Sequence, residues 1–261
     1  MTPAAMKDRV PKLPPAYRLV QLEEIDSTNS EAKRRADEGA EDGTLIWAKR
    51  QTAGYGRQGR GWDSDQGNLF LSLIVRPDCR LEQAAQLSFL TALALGDAVG
   101  SVAPPMIEVT YKWPNDVLFN GRKGAGILLE SKGGPDGSVD WLVIGLGANV
   151  TSFPTQARYP ATSLHFEGCP ASVTAVELLE AFSRHCLSWI NRWLDDGFAP
   201  IRQTWLNHAE GLSKEIEVRL PQETLTGRFE DLDAQGALRL VLPDGSERSI
   251  AAGEVYFPEA R

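Results

Sequence analysis

The chain has 261 residues, 42% of them hydrophobic and 24% charged, with a formal net charge of −8. That composition suits one large folded domain plus a small one, and its acidity excludes a broad nucleic-acid footprint. Cys79, Cys169 and Cys186 are odd in number and include no Cys-x-x-Cys pair, so neither a disulfide framework nor a zinc site is indicated. The first fifteen residues carry Pro and charge without an apolar core, which reads against a secretory signal. No apolar run approaches transmembrane length, and the cytoplasm is the expected compartment.

Residues 1–16 read as a loose, flexible arm. Tyr17 to Ile25 alternates as a strand, and Ser27-Thr28-Asn29 opens a helix with Thr28 and Glu31 spaced as a capping box. Thr44 to Lys49 is a second strand, and the glycine–arginine loop Gln51 to Trp62 follows it. Asn68 to Val75 is a long apolar strand closed by Pro77. Leu81 to Val99 is a helix with Ala84, Leu87, Leu90 or Thr91, Ala94 and Ala98 on one face. Ile107 to Lys112 is a strand that Pro114 ends. Val117 to Phe119 and Gly126 to Glu130 flank the hairpin signal Asn120-Gly121. Trp141 to Leu146 is a further strand, which Gly147-Ala148-Asn149 leaves. Thr174 to Leu194 is the clearest helix, with Thr174 and Glu177 as its capping box and Leu179, Phe182, Cys186, Trp189, Ile190 and Trp193 as its buried stripe. Pro200 starts a short helix running to about His208. From Lys214 the texture changes to five short β segments, with Asp244-Gly245 as a hairpin turn. The pattern predicts an α+β domain with a mixed sheet over 17–212 and a small all-β barrel over 213–261.

The loop reads Q-T-A-G-Y-G-R-Q-G-R-G-W, with Gly54, Gly56, Gly59 and Gly61 set among Arg57, Arg60 and Trp62. Glycines allow close backbone approach, arginines suit phosphate or carboxylate, and an indole face suits a flat ring. Gly54 to Gly59 is literally G-x-G-x-x-G, but Arg60 to Gly67 has no helical period, which removes a dinucleotide fold. In Lys112-Trp113-Pro114-Asn115-Asp116, Lys112 suits a phosphate, and Asn115 and Asp116 offer oxygens to Mg²⁺. The same residues also make an ordinary turn. Lys123, in Arg122-Lys123-Gly124-Ala125-Gly126, suits a substrate carboxylate or is a solvated hairpin lysine. Ser27 and Asn29 are left over by the Thr28–Glu31 cap, and Asn149 ends a strand where it can meet a ligand. His165, His185 and His208 are scattered and read as structural.

These segments, in this order and spacing, resemble the biotin protein ligases, also called biotin–[acetyl-CoA-carboxylase] ligases, over about Tyr17 to Phe257. The resemblance implies a class II synthetase-like catalytic domain followed by an SH3-like barrel. It also implies an enzyme that makes biotinyl-5′-AMP from biotin and MgATP, then transfers biotin to a lysine of a biotin carboxyl carrier protein domain of acetyl-CoA carboxylase. Ser27, Thr28, Asn29, Gln51, Gly54, Tyr55, Gly56 and Gly126 would serve biotin. Arg57 and Lys123 would serve biotin and the reaction, with Arg57 also on ATP. Arg60, Trp62, Lys112, Asn115, Asp116 and Asn149 would serve ATP, with Asp116 as a metal ligand. A carboxylate is already a nucleophile, so no Ser-His-Asp arrangement is required. Tyr55 departs from the arginine of many members, and its side-chain role is open. Gly253 to Phe257 lacks a basic residue that some members carry, so no ATP contact is assigned to the C-terminal domain. Residues 1–16 are too few for the winged helix-turn-helix of members that also repress transcription, so neither DNA nor a membrane is expected as partner. A homodimer is left open. A lipoate-type ligase and a non-catalytic biotin or nucleotide sensor are the competing readings.

Overall fold

Strands that are apolar on both faces need cover on both faces. A computed structural model, which describes residues 9–156 and 159–257, shows how this chain supplies it. The chain order is β1 (Arg18–Ile25), α1 (Thr28–Asp37), β2 (Thr44–Gln51), β3 (Leu69–Val75), α2 (Gln86–Val102), β4 (Val109–Lys112), β5 (Asp116–Phe119), β6 (Arg122–Gly133), β7 (Val139–Ala148), α3 (Ala175–Asp196) and α4 (Ala199–Leu206). The strands form one seven-stranded mixed sheet in the order β1-β2-β3-β7-β6-β5-β4, with only β1 and β2 parallel. Every residue of β3 is buried.

Alternation sorts the side chains. Leu45, Trp47, Leu71, Leu73, Leu142 and Ile144 face α2 and α3 in the main core. Ile46, Ile74 and Val143 face the other way, onto Ala32 and Ala36 of α1. On that second face the register aligns Ser72 with Gly145 and Leu128, Phe70 with Gly147 and Gly126, and Gly126 with Asp116. Toward the start of α1, therefore, this face carries Gly145, Gly147 and Gly126 where the rest carries aliphatics.

The second sheet comprises β8 (Glu215–Arg219), β9 (Thr224–Leu232), β10 (Leu238–Val241), β11 (Glu247–Ile250) and β12 (Glu254–Tyr256), all antiparallel in the order β11-β10-β9-β8-β12. It is SH3-like in build. Trp113 Nε1 donates to Gly236 O at 3.1 Å, which ties it to the first sheet beside the site.

Several local expectations shift. Ser27, not Thr28, caps α1: its side chain accepts from Ser30 N, and Thr28 is turned toward Gln51 instead. Thr174 and Glu177 form the expected capping box on α3. Asn120 and Gly121 both take positive φ, 48° and 75°, as a two-residue hairpin turn requires. Of the expected arm, residues 1–8 lie outside the described residues, as do 258–261 of the expected barrel. Residues 9–12 are not loose: Arg9 pairs with Glu177 and Glu180, and Lys12 N donates to Glu180 at 2.6 Å. The predicted helix at Leu81 begins as one 3₁₀ turn, with α2 proper starting at Gln86. Leu81–Val102 is also long and apolar enough to cross a membrane, contrary to expectation, but most of that span is buried as a core helix. Trp141, Trp193 and Trp205 are buried, whereas Trp189 is half-exposed with Nε1 on Asp97.

Trp205 of α4 locks α2 to β4. It is 1% exposed, meets Phe89 edge-on at 5.2 Å and stacks on Tyr111 at 6.0 Å. Trp205→Ala is expected to cost about 3–5 kcal/mol of stability, read as a lower urea midpoint at unchanged slope.

Candidate active site

Gly126, Gly145 and Gly147 floor a cavity of about 410 Å³ on the α1 face of the sheet. Its walls are the start of α1, the glycine–arginine loop, the turn between β4 and β5, and Gly253 to Val255 of the second sheet. The glycines are required by contact. A Cβ on Gly145 would stand 2.1 Å from Asn29 Oδ1, and one on Gly147 would stand 2.6 Å from Trp62 Nε1.

The structure brings the expected residues around this cavity. Ser27, Thr28, Asn29, Gln51, Tyr55, Gly56, Arg57, Arg60, Trp62, Lys112, Asn115, Asp116, Lys123, Gly126 and Asn149 all line it. Gly54 stands behind the wall, where a Cβ would meet Ser64 Oγ at 2.4 Å. The loop contains a single 3₁₀ turn, Arg57–Gly59, and no helix follows it. That agrees with rejection of the dinucleotide motif.

One end of the cavity is polar but mostly uncharged. Gln51 Oε1 accepts from Thr28 N at 2.8 Å and Thr28 Oγ1 at 3.0 Å. Gln51 Nε2 donates to Ser64 Oγ at 3.0 Å, which in turn donates to Trp62 O at 2.9 Å. Ser72 Oγ lies 2.8 Å from Thr28 Oγ1 and 2.5 Å from Asn29 Oδ1. Asn29 Nδ2 donates to Glu130 Oε2 at 2.9 Å.

The other end is cationic. Lys123 Nζ lies 2.6 Å from Asp116 Oδ1 and 5.4 Å from the centroid of the Trp62 ring. Arg57 donates to Asn115 Oδ1 at 3.3 Å and Gly253 O at 3.2 Å, and burial pushes its pKa down without removing the charge. Lys112 is buried with Nζ 4.2 Å from the Tyr159 centroid and 5.7 Å from that of Tyr256, and burial pushes its pKa down as well. Arg60 pairs with Glu254. Asn149 Nδ2 donates to Thr162 O at 2.9 Å, so part of its amide is spent holding a neighbouring loop.

Four isolated segments thus meet as a neutral hydrogen-bonding pocket running into a cation cluster, with an indole between them. Sequence reasoning missed Ser64, Ser72, Glu130, Tyr159, Glu254 and Tyr256. A signal existed for Ser72, the one polar residue in the apolar run Leu69–Val75. The C-terminal domain, to which no ATP contact is assigned above, nonetheless reaches the cavity: Gly253, Glu254 and Val255 form part of the wall, and Glu254 holds Arg60.

Comparison with known proteins places this architecture. Residues 60–207 match the biotin/lipoate A/B protein ligase family, and residues 212–257 match the biotin protein ligase C-terminal domain. The chain is 40% identical over 241 residues to the biotin–[acetyl-CoA-carboxylase] ligase of Paracoccus denitrificans, covering 90% of this chain and 99% of that one. It is 34% identical to the bifunctional ligase/repressor BirA of Bacillus subtilis, over 90% of this chain and 72% of that protein. Among solved structures, the Aquifex aeolicus biotin protein ligase in complex with biotin and ATP superposes with a TM-score of 0.76 at 27% identity, covering 92% of this chain and 97% of that one. The fold is that of a ligase, and the chain belongs to the biotin protein ligase family.

Glu130 is half-buried, which opposes ionisation, yet Lys33, Asn29 and Tyr55 together hold it below the usual carboxylate range. A depressed carboxyl pKa gives stability that is present above the unfolded value and lost as pH falls through the folded one. The stability difference between wild type and Glu130→Gln is therefore expected to stay flat down to about pH 4.3 and shrink only below it. Urea unfolding at stepped pH checks this, and a difference already fading near pH 6 would contradict it.

Proposed function

We propose that this chain is an ATP-dependent biotin–protein ligase that makes biotinyl-5′-AMP and then biotinylates one lysine of a biotin carboxyl carrier domain. The observation that carries the reading is the polarity of the cavity, neutral at one end and cationic at the other. Biotin has a neutral ureido ring at one end and a carboxylate at the other. Thr28, Asn29, Gln51 and Ser72 suit the ring, while Arg57, Lys112 and Lys123 suit the carboxylate and the α-phosphate.

In this reading residues 17–212 are the catalytic domain and 213–261 the C-terminal domain. The biotin carboxylate oxygen attacks the α-phosphorus of ATP, the bond to the bridging oxygen breaks, and pyrophosphate leaves. Both reactants are anionic, so the barrier is largely electrostatic, and fixed cations reduce it at the point where charge builds. Lys123 lies at the boundary of the two ends and meets the carboxylate. Arg57 covers the phosphate from the loop, and Lys112 meets it from the strand end. Among the described residues no cluster of His, Cys, Asp or Glu holds a metal by itself. Asp116 beside Asn115 fits the one or two protein oxygens that Mg²⁺ takes when it arrives on nucleotide phosphates. In the second step the carrier lysine amine attacks the acyl carbon and AMP leaves. Until then a closed loop must keep water from the mixed anhydride.

The test is incubation with MgATP, biotin and a carrier domain, following pyrophosphate release and carrier mass. A carrier heavier by one biotin supports the reading, and pyrophosphate release with lipoate but not biotin overturns it. Lys123→Ala is expected to slow adenylate formation by about 10²-fold, measured by single-turnover pyrophosphate release. Arg57→Ala is expected to let the adenylate dissociate about tenfold faster, measured by chasing bound adenylate with excess biotin and ATP.

A further inference from the structure

Tyr55 stands in the glycine–arginine loop, yet the reaction above gives its side chain no work. Its hydroxyl donates to Glu130 Oε2 at 2.8 Å. The same oxygen accepts from Asn29 Nδ2 at 2.9 Å, and the other accepts from Lys33 Nζ at 2.6 Å. Lys33 Nζ also lies 5.5 Å from the Tyr55 ring centroid. Asn29 and Lys33 are one helical turn apart and share a face of α1. Glu130 of β6 thus gathers three donors from two other elements, the helix start and the loop.

Asn29 transmits this order. An ionised carboxylate only accepts, so it selects the nitrogen end of the Asn29 amide and leaves Oδ1 facing Ser72. Ser72 has one proton. It points between Asn29 Oδ1 at 2.5 Å and Thr28 Oγ1 at 2.8 Å, both acceptors here, because the Thr28 proton goes to Gln51 Oε1. The close approach over Gly145 prevents the amide from finding another seat. Replacing the carboxylate by a group that also donates removes the element that fixes the direction of this row.

We propose that Glu130 and Tyr55 are positioning residues for the neutral head of the ligand: Glu130 sets the donor–acceptor direction of the Asn29–Ser72–Thr28 row, and the Tyr55 hydroxyl latches the loop over that end of the cavity. The proposal rests on the adenylation reading above. Glu130 and Lys33 keep a quarter and a third of their side chains exposed, so the latch sits where solvent can compete and the loop can open.

Tyr55→Phe keeps the ring and removes the hydroxyl, and Glu130→Gln removes the charge. Each is expected to raise KM for biotin by about tenfold, far more than it lowers kcat, with KM for ATP little changed. Tyr55→Phe is also expected to hasten adenylate release. The double variant is expected to be no worse in biotin KM than Glu130→Gln, because the hydroxyl acts through that carboxylate. Limited trypsin digestion without ligand gives a second readout, with faster cleavage after Arg57 and Arg60 in Tyr55→Phe. Tyr55→Phe with wild-type biotin KM, adenylate release and tryptic cleavage overturns the proposal, as does strict additivity in the double variant. If the wild type releases no pyrophosphate with biotin, the adenylation reading falls, and the digestion still decides the latch.

Discussion

The site depends on three side chains that are missing. A sheet covered on both faces has no room for a ligand, because its interior is packed to the density of a crystal. On the α1 face, Gly126, Gly145 and Gly147 interrupt the aliphatic rows set by Ile46, Ile74 and Val143. The vacated volume is taken by an amide at Gly145 and an indole at Gly147, so the approach of Asn29 and Trp62 to the backbone is itself a consequence of the glycines. Polar side chains at the start of α1 can then be buried without loss, since each finds a partner across the gap.

The distribution of charge follows the same geometry. Cations surround one end of the cavity, and they already have company: Lys123 has Asp116, Arg60 has Glu254, and Lys112 has aromatic faces. These contacts lower the cost of keeping cations half-buried before a ligand arrives. A phosphate or carboxylate then exchanges with a carboxylate or a ring rather than with bulk water. The exchange favours ligands with more negative charge than one side chain provides, which suits a nucleotide better than a lone carboxylic acid.

Much of this was legible in the sequence, and the reasons differ by element. The Asn120-Gly121 turn and the Thr174–Glu177 cap are short-range devices whose geometry is written in adjacent residues. The glycine–arginine loop was legible through composition, and its separation from a dinucleotide motif through the absence of a helical period after Gly59. The Thr28–Glu31 spacing fits a capping box, yet Ser27 is the cap, because Thr28 gives its N–H and hydroxyl to Gln51, a partner that local spacing does not announce. Glu130 and Glu254 were invisible for a different reason. Each acts on a residue far along the chain, and no local pattern announces a partner supplied by strand register or by a second domain.

The loop is gripped at two points by acidic side chains from different parts of the fold. Tyr55 is held by Glu130 on β6, Arg60 is held by Glu254 on β12, and Arg57 between them reaches the Gly253 carbonyl. A glycine-rich segment anchored at one end would lose much conformational entropy on closing. Anchored at both, it has lost most of that entropy before a ligand binds, and what remains is local adjustment around Gly56 and Gly59. Its neutral anchor, a tyrosine hydroxyl, lies at the uncharged end of the cavity and its charged anchor at the cationic end. An anionic ligand that draws Arg60 away from Glu254 would therefore loosen only the second, leaving the Tyr55 side of the loop fixed while its far side rearranges about the anion.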